Sequence, residues 1–285
     1  MTPLIRLLAL AFWSAACTPI QTVGVFFKRK YARRFPMFYH RGVLRILGIN
    51  IIRKGEMRTV APTLFVANHI SYLDIFVLGA VIEGSFVAKS EISGWPVAGY
   101  LARLQRTIFV ERERRAAAGA QRDMLQSRFE EPANVILFPE GTSFDGARVL
   151  PFKSALFAAA ERQVDGHPVI VQPLSIAYVA VDGLPLTRAQ RPSVAWYGDM
   201  ALLPHIWEFA KAGRTTVTLD FHPPISMESY ANRRTMAADC REIVASGVRS
   251  LVSGRPALPP PPPQPALPAP EDGAPAAAAT IAQNA

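Results

Sequence analysis

Seven consecutive residues carry groups able to move a proton: Asn68-His69-Ile70-Ser71-Tyr72-Leu73-Asp74, directly after the apolar run Thr63-Leu64-Phe65-Val66-Ala67. A histidine delivered to the end of a strand, with a carboxylate a little further on, is a general base whose partner can hold the ring and set its tautomer. The same spacing suits a purely structural His/Asp pair, so these residues alone leave both readings open. A second polar island, Leu137-Phe138-Pro139-Glu140-Gly141-Thr142, follows a second apolar run and favours chemistry. Inside one regular helix, His69 and Asp74 would point about 140° apart. Pairing therefore requires His69 in a turn and Asp74 in the opening of a helix, where an acid also suits the helix dipole.

The elements that position these groups follow from periodicity. Strands are predicted at Thr63–Ala67, Gly84–Ala88, Thr107–Val110, Val135–Phe138, Val169–Tyr178, Val194–Tyr197 and Thr216–Phe221. Helices are predicted at Tyr72–Val81, Pro96–Leu104, Arg114–Glu130 and Phe152–Gln163. This alternation predicts an α/β fold, a single domain with a mostly parallel mixed sheet flanked by helices. Asn68-His69, Lys89-Ser90-Glu91, Glu111-Arg112 and Glu140-Gly141-Thr142 then all follow strands. They meet at the carboxyl edge, where open α/β sheets bind ligands.

The chain has 285 residues, half of them hydrophobic, and a formal net charge of +9. That length and apolar content allow one well-buried core. A basic chain suits an anionic membrane surface or nucleic acid. With no Cys/His finger, no aromatic RNP-type strand and no basic region running into heptads, no nucleic-acid partner is expected. Cys17 and Cys240 support neither a disulfide framework nor a cysteine metal site, and the body of the protein is expected in a reducing compartment. His40, His167, His205 and His222 are not spaced as metal ligands, so no metal is expected. Trp95, Trp196 and Trp207 read as core or interfacial residues.

From Thr2 to Phe27 the chain is mostly apolar, with Arg6 its one charge, near the roughly 20 residues that cross a bilayer as a helix. Pro19 and Gly24 are expected to break it. The run Lys28-Arg29-Lys30-Tyr31-Ala32-Arg33-Arg34 is a basic flank of the kind retained on the cytoplasmic side. A signal peptide or a buried core helix would share part of this pattern. The apolar return at Val23-Gly24-Val25-Phe26-Phe27 favours an uncleaved anchor, a helix or re-entrant hairpin, over residues 1–34. The expected location is the cell inner membrane with the active site facing the cytoplasm. Residues 35–254 form the domain, and the Pro/Ala-rich residues 255–285 are expected to be a disordered tail.

Four segments carry a family resemblance: Asn68-His69 with Asp74, Phe109-Val110-Glu111-Arg112, Phe138-Pro139-Glu140-Gly141-Thr142 and Val171-Gln172-Pro173. In order and spacing they resemble the four blocks of the glycerolipid acyltransferase family, whose bacterial type is 1-acylglycerol-3-phosphate acyltransferase. The likeness implies a membrane-bound O-acyltransferase. In it a lysolipid hydroxyl attacks the thioester of acyl-acyl carrier protein or acyl-CoA, with no covalent acyl-enzyme and no permanently bound cofactor. It implies His69 as general base and Asp74 as its partner. Asn68, Glu140, Gly141 and Thr142 would bind substrate, and Arg112 would hold the acceptor's anionic head. Read from its neighbours alone, Arg112 is one of a solvated charged run, Glu111-Arg112-Glu113-Arg114-Arg115. Membrane lipids and acyl carrier protein are the implied partners.

Departures from the pattern bear on the acceptor. Many lysophosphatidate enzymes carry an arginine straight after the Glu-Gly-Thr turn, where this chain has Ser143. Lys153 and Arg148 are the candidate replacement cations. Gly141–Gly146, Val149–Lys153 and Trp196–Met200 resemble a proteobacterial branch that includes lyso-ornithine lipid acyltransferases, which esterify the 3-hydroxy group of an acylated ornithine. Lyso-ornithine lipid is therefore the acceptor favoured, and lysophosphatidate the alternative. A hydrolase finds no support, because no G-x-S-x-G elbow is present. A non-catalytic membrane lipid-binding protein would use the anchor and basic surface without needing His69.

Overall fold

In the computed structural model, which describes residues 2–110, 134–161, 163–164 and 167–255, the chain forms an α/β body behind a long N-terminal helix. The main strands are β1 (Ile49–Gly55), β2 (Thr63–Ala67), β3 (Gly84–Lys89), β4 (Ile108–Val110), β5 (Asn134–Leu137), β6 (Ile170–Val181) and β7 (Thr215–Phe221). They lie in the order β1-β7-β6-β2-β5-β3-β4, and every neighbouring pair on that path is parallel except β7 with β6. The helices are α1 (Pro3–Phe26), α2 (Phe35–Leu47), α3 (Leu73–Gly79), α4 (Pro96–Leu104), α5 (Leu202–Lys211) and α6 (Arg233–Ser253).

The central strand β2 explains the layering. All of its residues are buried. Leu64 and Val66 pack with Val135, Leu137, Phe157 and Cys240 on one face, while Phe65 and Ala67 pack with Leu73, Val77, Ile136 and Leu219 on the other. A parallel strand covered on both faces needs such a continuous apolar run, alternate residues serving opposite layers. Helices α2 and α3 cover the second face, and α6 covers the first, its N-terminus held by Asn232 accepting from the N–H groups of Arg234 and Thr235.

Several expectations need correction. Val194–Tyr197 is not a strand: it leaves the 3-10 helix Arg188–Ser193, and the N–H groups of Val194 and Ala195 both donate to the Arg191 carbonyl. Its apolar residues signal burial under the site rather than sheet pairing. The helix expected over Phe152–Gln163 is a 3-10 helix, Ser154–Glu161, opened by a short-range turn from Leu156 N to the Lys153 carbonyl. Helices α2, α5 and α6 and strand β1 had no counterpart in the sequence reading. Arg112 and the helix expected over Arg114–Glu130 lie outside the described residues, as do residues 256–285.

Pro19 does not break α1. Proline removes one helix hydrogen bond, but the Thr18 and Thr22 hydroxyls donate to the carbonyls of Ser14 and Thr18 at 2.7 and 2.8 Å, adding bonds around the gap. The helix is long and apolar enough to cross a membrane. Its contacts, however, run along its whole length. Arg6 donates to the carbonyls of Ala210 and Ala212 at the end of α5, the Trp13 indole donates to the Tyr39 carbonyl at 3.0 Å, and Gln21 donates to the carbonyls of Ala32 and Leu104 at 2.9 Å each. The opposite face exposes Leu4, Leu8, Phe12, Ile20, Val23 and Phe26.

The seat of α1 on α2 makes a prediction of known sign. A Cβ on Gly42 would come within 2.3 Å of the Trp13 ring. Gly42→Ala improves α2's intrinsic helix propensity by about 1 kcal/mol yet must push Trp13 aside. The expected result is a lower thermal midpoint in detergent; an equal or higher midpoint would refute this packing.

Candidate active site

The turn between β2 and α3 is a closed account of backbone hydrogen bonds. His69 N donates to Glu140 Oε1 at 2.8 Å, and the His69 carbonyl accepts from Phe144 N at 2.9 Å. Ile70 N and Ser71 N both donate to Asp74 Oδ2, at 2.6 and 3.0 Å. The carbonyls of Ile70 and Ser71 accept from Trp196 N and Asp74 N, each at 3.0 Å. Every main-chain donor and acceptor of residues 69–71 is thus paired, as a buried turn requires.

Asp74, fully buried in the first turn of α3, is the hub. Besides the two N–H groups, its Oδ2 lies 2.9 Å from His69 Nδ1, and its Oδ1 accepts from the Tyr178 hydroxyl of β6 at 2.9 Å. Burial and the neighbouring Asp74 carboxylate push the Tyr178 phenol well above its ordinary range, so it remains a donor. A carboxylate only accepts, so in the neutral imidazole the proton sits on Nδ1 and Nε2 carries the lone pair. The ring stacks on Phe138 with centroids 4.2 Å apart, and 19 % of the side chain stays exposed. Phe138 in turn stacks on Phe86. The imidazole is therefore held by its partner, its face and its own backbone, with one edge open.

Glu140 is placed beside His69 but does not face outward. It is 4 % exposed, and its second oxygen accepts from Leu150 N at 2.8 Å, so the side chain clamps the His69 turn to the segment after Gly146. Burial raises its carboxyl to about 7, opposed by the two N–H donors of Leu150 and His69. Gly141 has φ +76, in the left-handed region that favours glycine, and starts the turn leading to exposed Thr142. Asn68 is 2 % exposed and pairs like a further strand residue: its amide donates to the Ile176 carbonyl at 3.0 Å and its oxygen accepts from Ile176 N at 2.8 Å. It extends β2's pairing with β6 by a side chain and delivers His69 to the edge. Gln172, from the fourth block, likewise bonds only to main chain, at Arg58, Glu56 and His222.

Other expected residues divide. Lys89, Ser90 and Glu91 end β3 at the same edge, where the Ser93 hydroxyl closes their turn onto the Ser90 carbonyl at 2.6 Å. Lys153 is exposed, with its N–H on the Pro139 carbonyl. Arg148 lines a cavity of about 580 Å³ together with Arg188, Arg191, Asp145 and Tyr197; Lys153 is not among the lining residues. Ser143, at the position following the Glu-Gly-Thr turn, is buried and donates to the Trp196 carbonyl. Among the described residues no His/Cys/Asp/Glu group is arranged to hold a metal. Tyr178, Phe138 and Trp196 are site residues to which sequence reasoning gave no role. Phe138 sits inside a recognised motif and was the most accessible of these, whereas Tyr178 is 104 positions from its partner, inside a long buried strand.

This sheet edge and its His/Asp turn fall within residues 48–177, which match the family model described as Acyltransferase. The chain belongs to the acyltransferase family and is a lysolipid acyltransferase. It is 40 % identical, over 87 % of its length and 94 % of the relative's, to a lyso-ornithine lipid O-acyltransferase of Brucella abortus (strain 2308). It is 37 % identical to a protein of the same name from Rhizobium meliloti (strain 1021), over 85 % of this chain and 82 % of that one. A 1-acyl-sn-glycerol-3-phosphate acyltransferase of Neisseria meningitidis serogroup B is 32 % identical over 72 % of this chain and 78 % of its own. The crystal structure of the 1-acyl-sn-glycerophosphate (LPA) acyltransferase from Thermotoga maritima shares the fold, with a TM-score of 0.62 at 22 % identity, covering 87 % of this chain and 95 % of that one.

Two predictions test the site's construction. Tyr178→Phe removes one donor from a buried carboxylate, so it is expected to cost roughly 1–3 kcal/mol of stability and to lower turnover while leaving the fold intact. Unfolding curves and rates equal to wild type would remove Tyr178 from the site. For Glu140 the sign follows from its raised carboxyl: the folded state holds the proton more tightly than the unfolded chain. Its contribution therefore destabilises progressively as pH rises from about 4.5 to 7 and is constant above. Glu140→Gln should flatten the fall in thermal midpoint across that interval; an unaltered slope would show that another group causes it.

Proposed function

We propose that the chain transfers a fatty acyl group from an acyl-acyl carrier protein or acyl-CoA thioester to the hydroxyl of lyso-ornithine lipid, with His69 as general base. The observation that carries the chemistry is the single short contact from His69 Nδ1 to the saturated Asp74 carboxylate, which leaves Nε2 at the open edge. In the reaction Nε2 takes the acceptor's hydroxyl proton as its oxygen attacks the thioester carbonyl. Asp74 stabilises the imidazolium, and the proton returns to the departing thiolate as the carbon–sulfur bond breaks. A positioned base of this kind contributes roughly 10²–10⁴-fold in rate. Orientation and thioester reactivity supply the rest.

The acceptor reading rests on the proteins named lyso-ornithine lipid O-acyltransferase at 37 and 40 % identity and on Ser143, which is turned inward where a phosphate-binding arginine would stand. The neisserial relative supports lysophosphatidate as the second reading.

The membrane reading rests on α1. A helix of 24 residues spans about 36 Å, yet both of its ends bond to the catalytic body, Arg6 at α5 and Gln21 at the end of α4. Such a helix immerses its outer apolar face in one leaflet rather than carrying its first residues across. The basic flank from Lys28 to Arg34 favours the cytoplasmic face of the inner membrane.

The test uses purified membranes with labelled acyl-carrier protein and acyl-CoA, each offered lyso-ornithine lipid or lysophosphatidate. Wild type should acylate lyso-ornithine lipid, and His69→Ala should lose roughly 10²–10⁴-fold in rate while staying folded and membrane-bound. Activity surviving in the variant would eliminate the proposed base. Turnover confined to lysophosphatidate would reverse the acceptor.

A further inference from the structure

The cavity lined by Arg148, Arg188 and Arg191 is built onto the catalytic turn itself. Phe144, at the start of its first wall, donates to the His69 carbonyl, and Trp196, at the end of its second, donates to the Ile70 carbonyl. Gly146, with φ +70, lies so close that a Cβ there would sit 3.1 Å from Ile70 Cγ2. The two walls are joined by Ser143 donating to the Trp196 carbonyl and by Arg191 Nη1 donating to the Gly146 carbonyl at 3.1 Å.

The charges in the cavity are oriented. Asp145 Oδ1 accepts from Ala147 N and Arg148 N, at 2.9 and 3.2 Å, and its Oδ2 lies 3.5 Å from Arg148 Nη2. The Arg148 guanidinium rests over the Phe144 ring, 5.2 Å from its centroid. Three guanidinium groups against one carboxylate make a lining that seeks an anion yet retains a receptor for a cation.

We propose that this cavity holds the amino-acid head of the acceptor. Its carboxylate lies on the forks of Arg148 and Arg191, its side-chain ammonium on Asp145, and Tyr197 walls the methylene stem. The assignment rests on the lyso-ornithine reading above and makes it specific. An N-acylated ornithine presents both a carboxylate and an ammonium to such a lining, whereas lysophosphatidate presents a phosphate alone. The position straight after the Glu-Gly-Thr turn holds Ser143, whose hydroxyl is occupied with the Trp196 carbonyl.

The experiment compares KM and kcat for lyso-ornithine lipid, its Nδ-acetyl derivative and lysophosphatidate in wild type, Arg148→Gln and Asp145→Asn. Asparagine keeps the Oδ1 acceptor that orders the loop, and Arg148→Gln alongside it separates loss of the carboxylate charge from loss of the Arg148 contact. Wild type should prefer the free ammonium over the acetylated form by roughly tenfold, a preference that Asp145→Asn erases. Arg148→Gln should raise KM for lyso-ornithine lipid roughly tenfold, falling on KM more than on kcat. Variants that keep wild-type KM and preference while wild type acylates lyso-ornithine lipid would overturn the cavity assignment alone. Wild type that leaves lyso-ornithine lipid unacylated would overturn the acceptor reading, and this assignment with it.

Discussion

The site depends on one buried carboxylate. Asp74 sits at zero exposure, where an unpaired charge would carry a desolvation penalty of several kcal/mol. Four donors converge on it: Ile70 N, Ser71 N, His69 Nδ1 and the Tyr178 hydroxyl. Charge-assisted hydrogen bonds of this kind offset burial and are individually stronger than neutral ones. Because one oxygen, Oδ2, serves both the turn's backbone and the imidazole, ring orientation is locked to the main chain rather than to a free rotamer. That is preorganisation in its structural form: the imidazole is held in one orientation by the turn itself.

Glu140 has a different task in the same neighbourhood. It holds the N–H of His69 on one oxygen and that of Leu150 on the other. It therefore joins the His69 turn to the loop that carries Asp145 and Arg148. Asp74 receives four donors and Glu140 two, and burial lifts the Glu140 carboxyl to about 7. Two neighbouring acids in unlike environments can thus serve unlike roles. Phe138 completes the frame by stacking on the imidazole face and resting on Phe86, a rigid support at low entropic cost.

What the sequence revealed was whatever had a local signature. The apolar run at Thr63–Ala67 and the five-residue step to Asp74 placed His69 in a turn and Asp74 in a helix opening, as found. Helix Pro96–Leu104 matches end to end. Most of the differences depend on a contact distant in sequence. The Tyr178 hydroxyl shows its role only when β6 lies beside β2. The Val194–Ala195 run is apolar because it is buried beneath the site, not because it pairs. Pro19 is a local exception: it stays inside α1, with the Thr18 and Thr22 hydroxyls donating to the carbonyls of Ser14 and Thr18. Asn68, implied by the resemblance as a substrate contact, uses its amide to extend a strand, a property of the β6 register.

That last point bears on where specificity resides. Of the motif residues, Asn68, Asp74, Glu140 and Gln172 direct their side-chain bonds to main chain, to His69 or to Tyr178. They build a fixed frame around one imidazole, and such a frame is indifferent to the chemistry of the acceptor's head. Discrimination needs groups that meet the part of the substrate that differs, and leaving a buried polar group unpaired is what makes a wrong substrate costly. Among the described residues, segments 143–148 and 188–197 carry such groups and hang from the same turn through the carbonyls of His69 and Ile70. Their main-chain hydrogen bonds to the turn do not depend on the charge their side chains present. One His69 turn can therefore carry different neighbouring side chains, which separates the placement of the imidazole from the charge beside it at the level of individual hydrogen bonds.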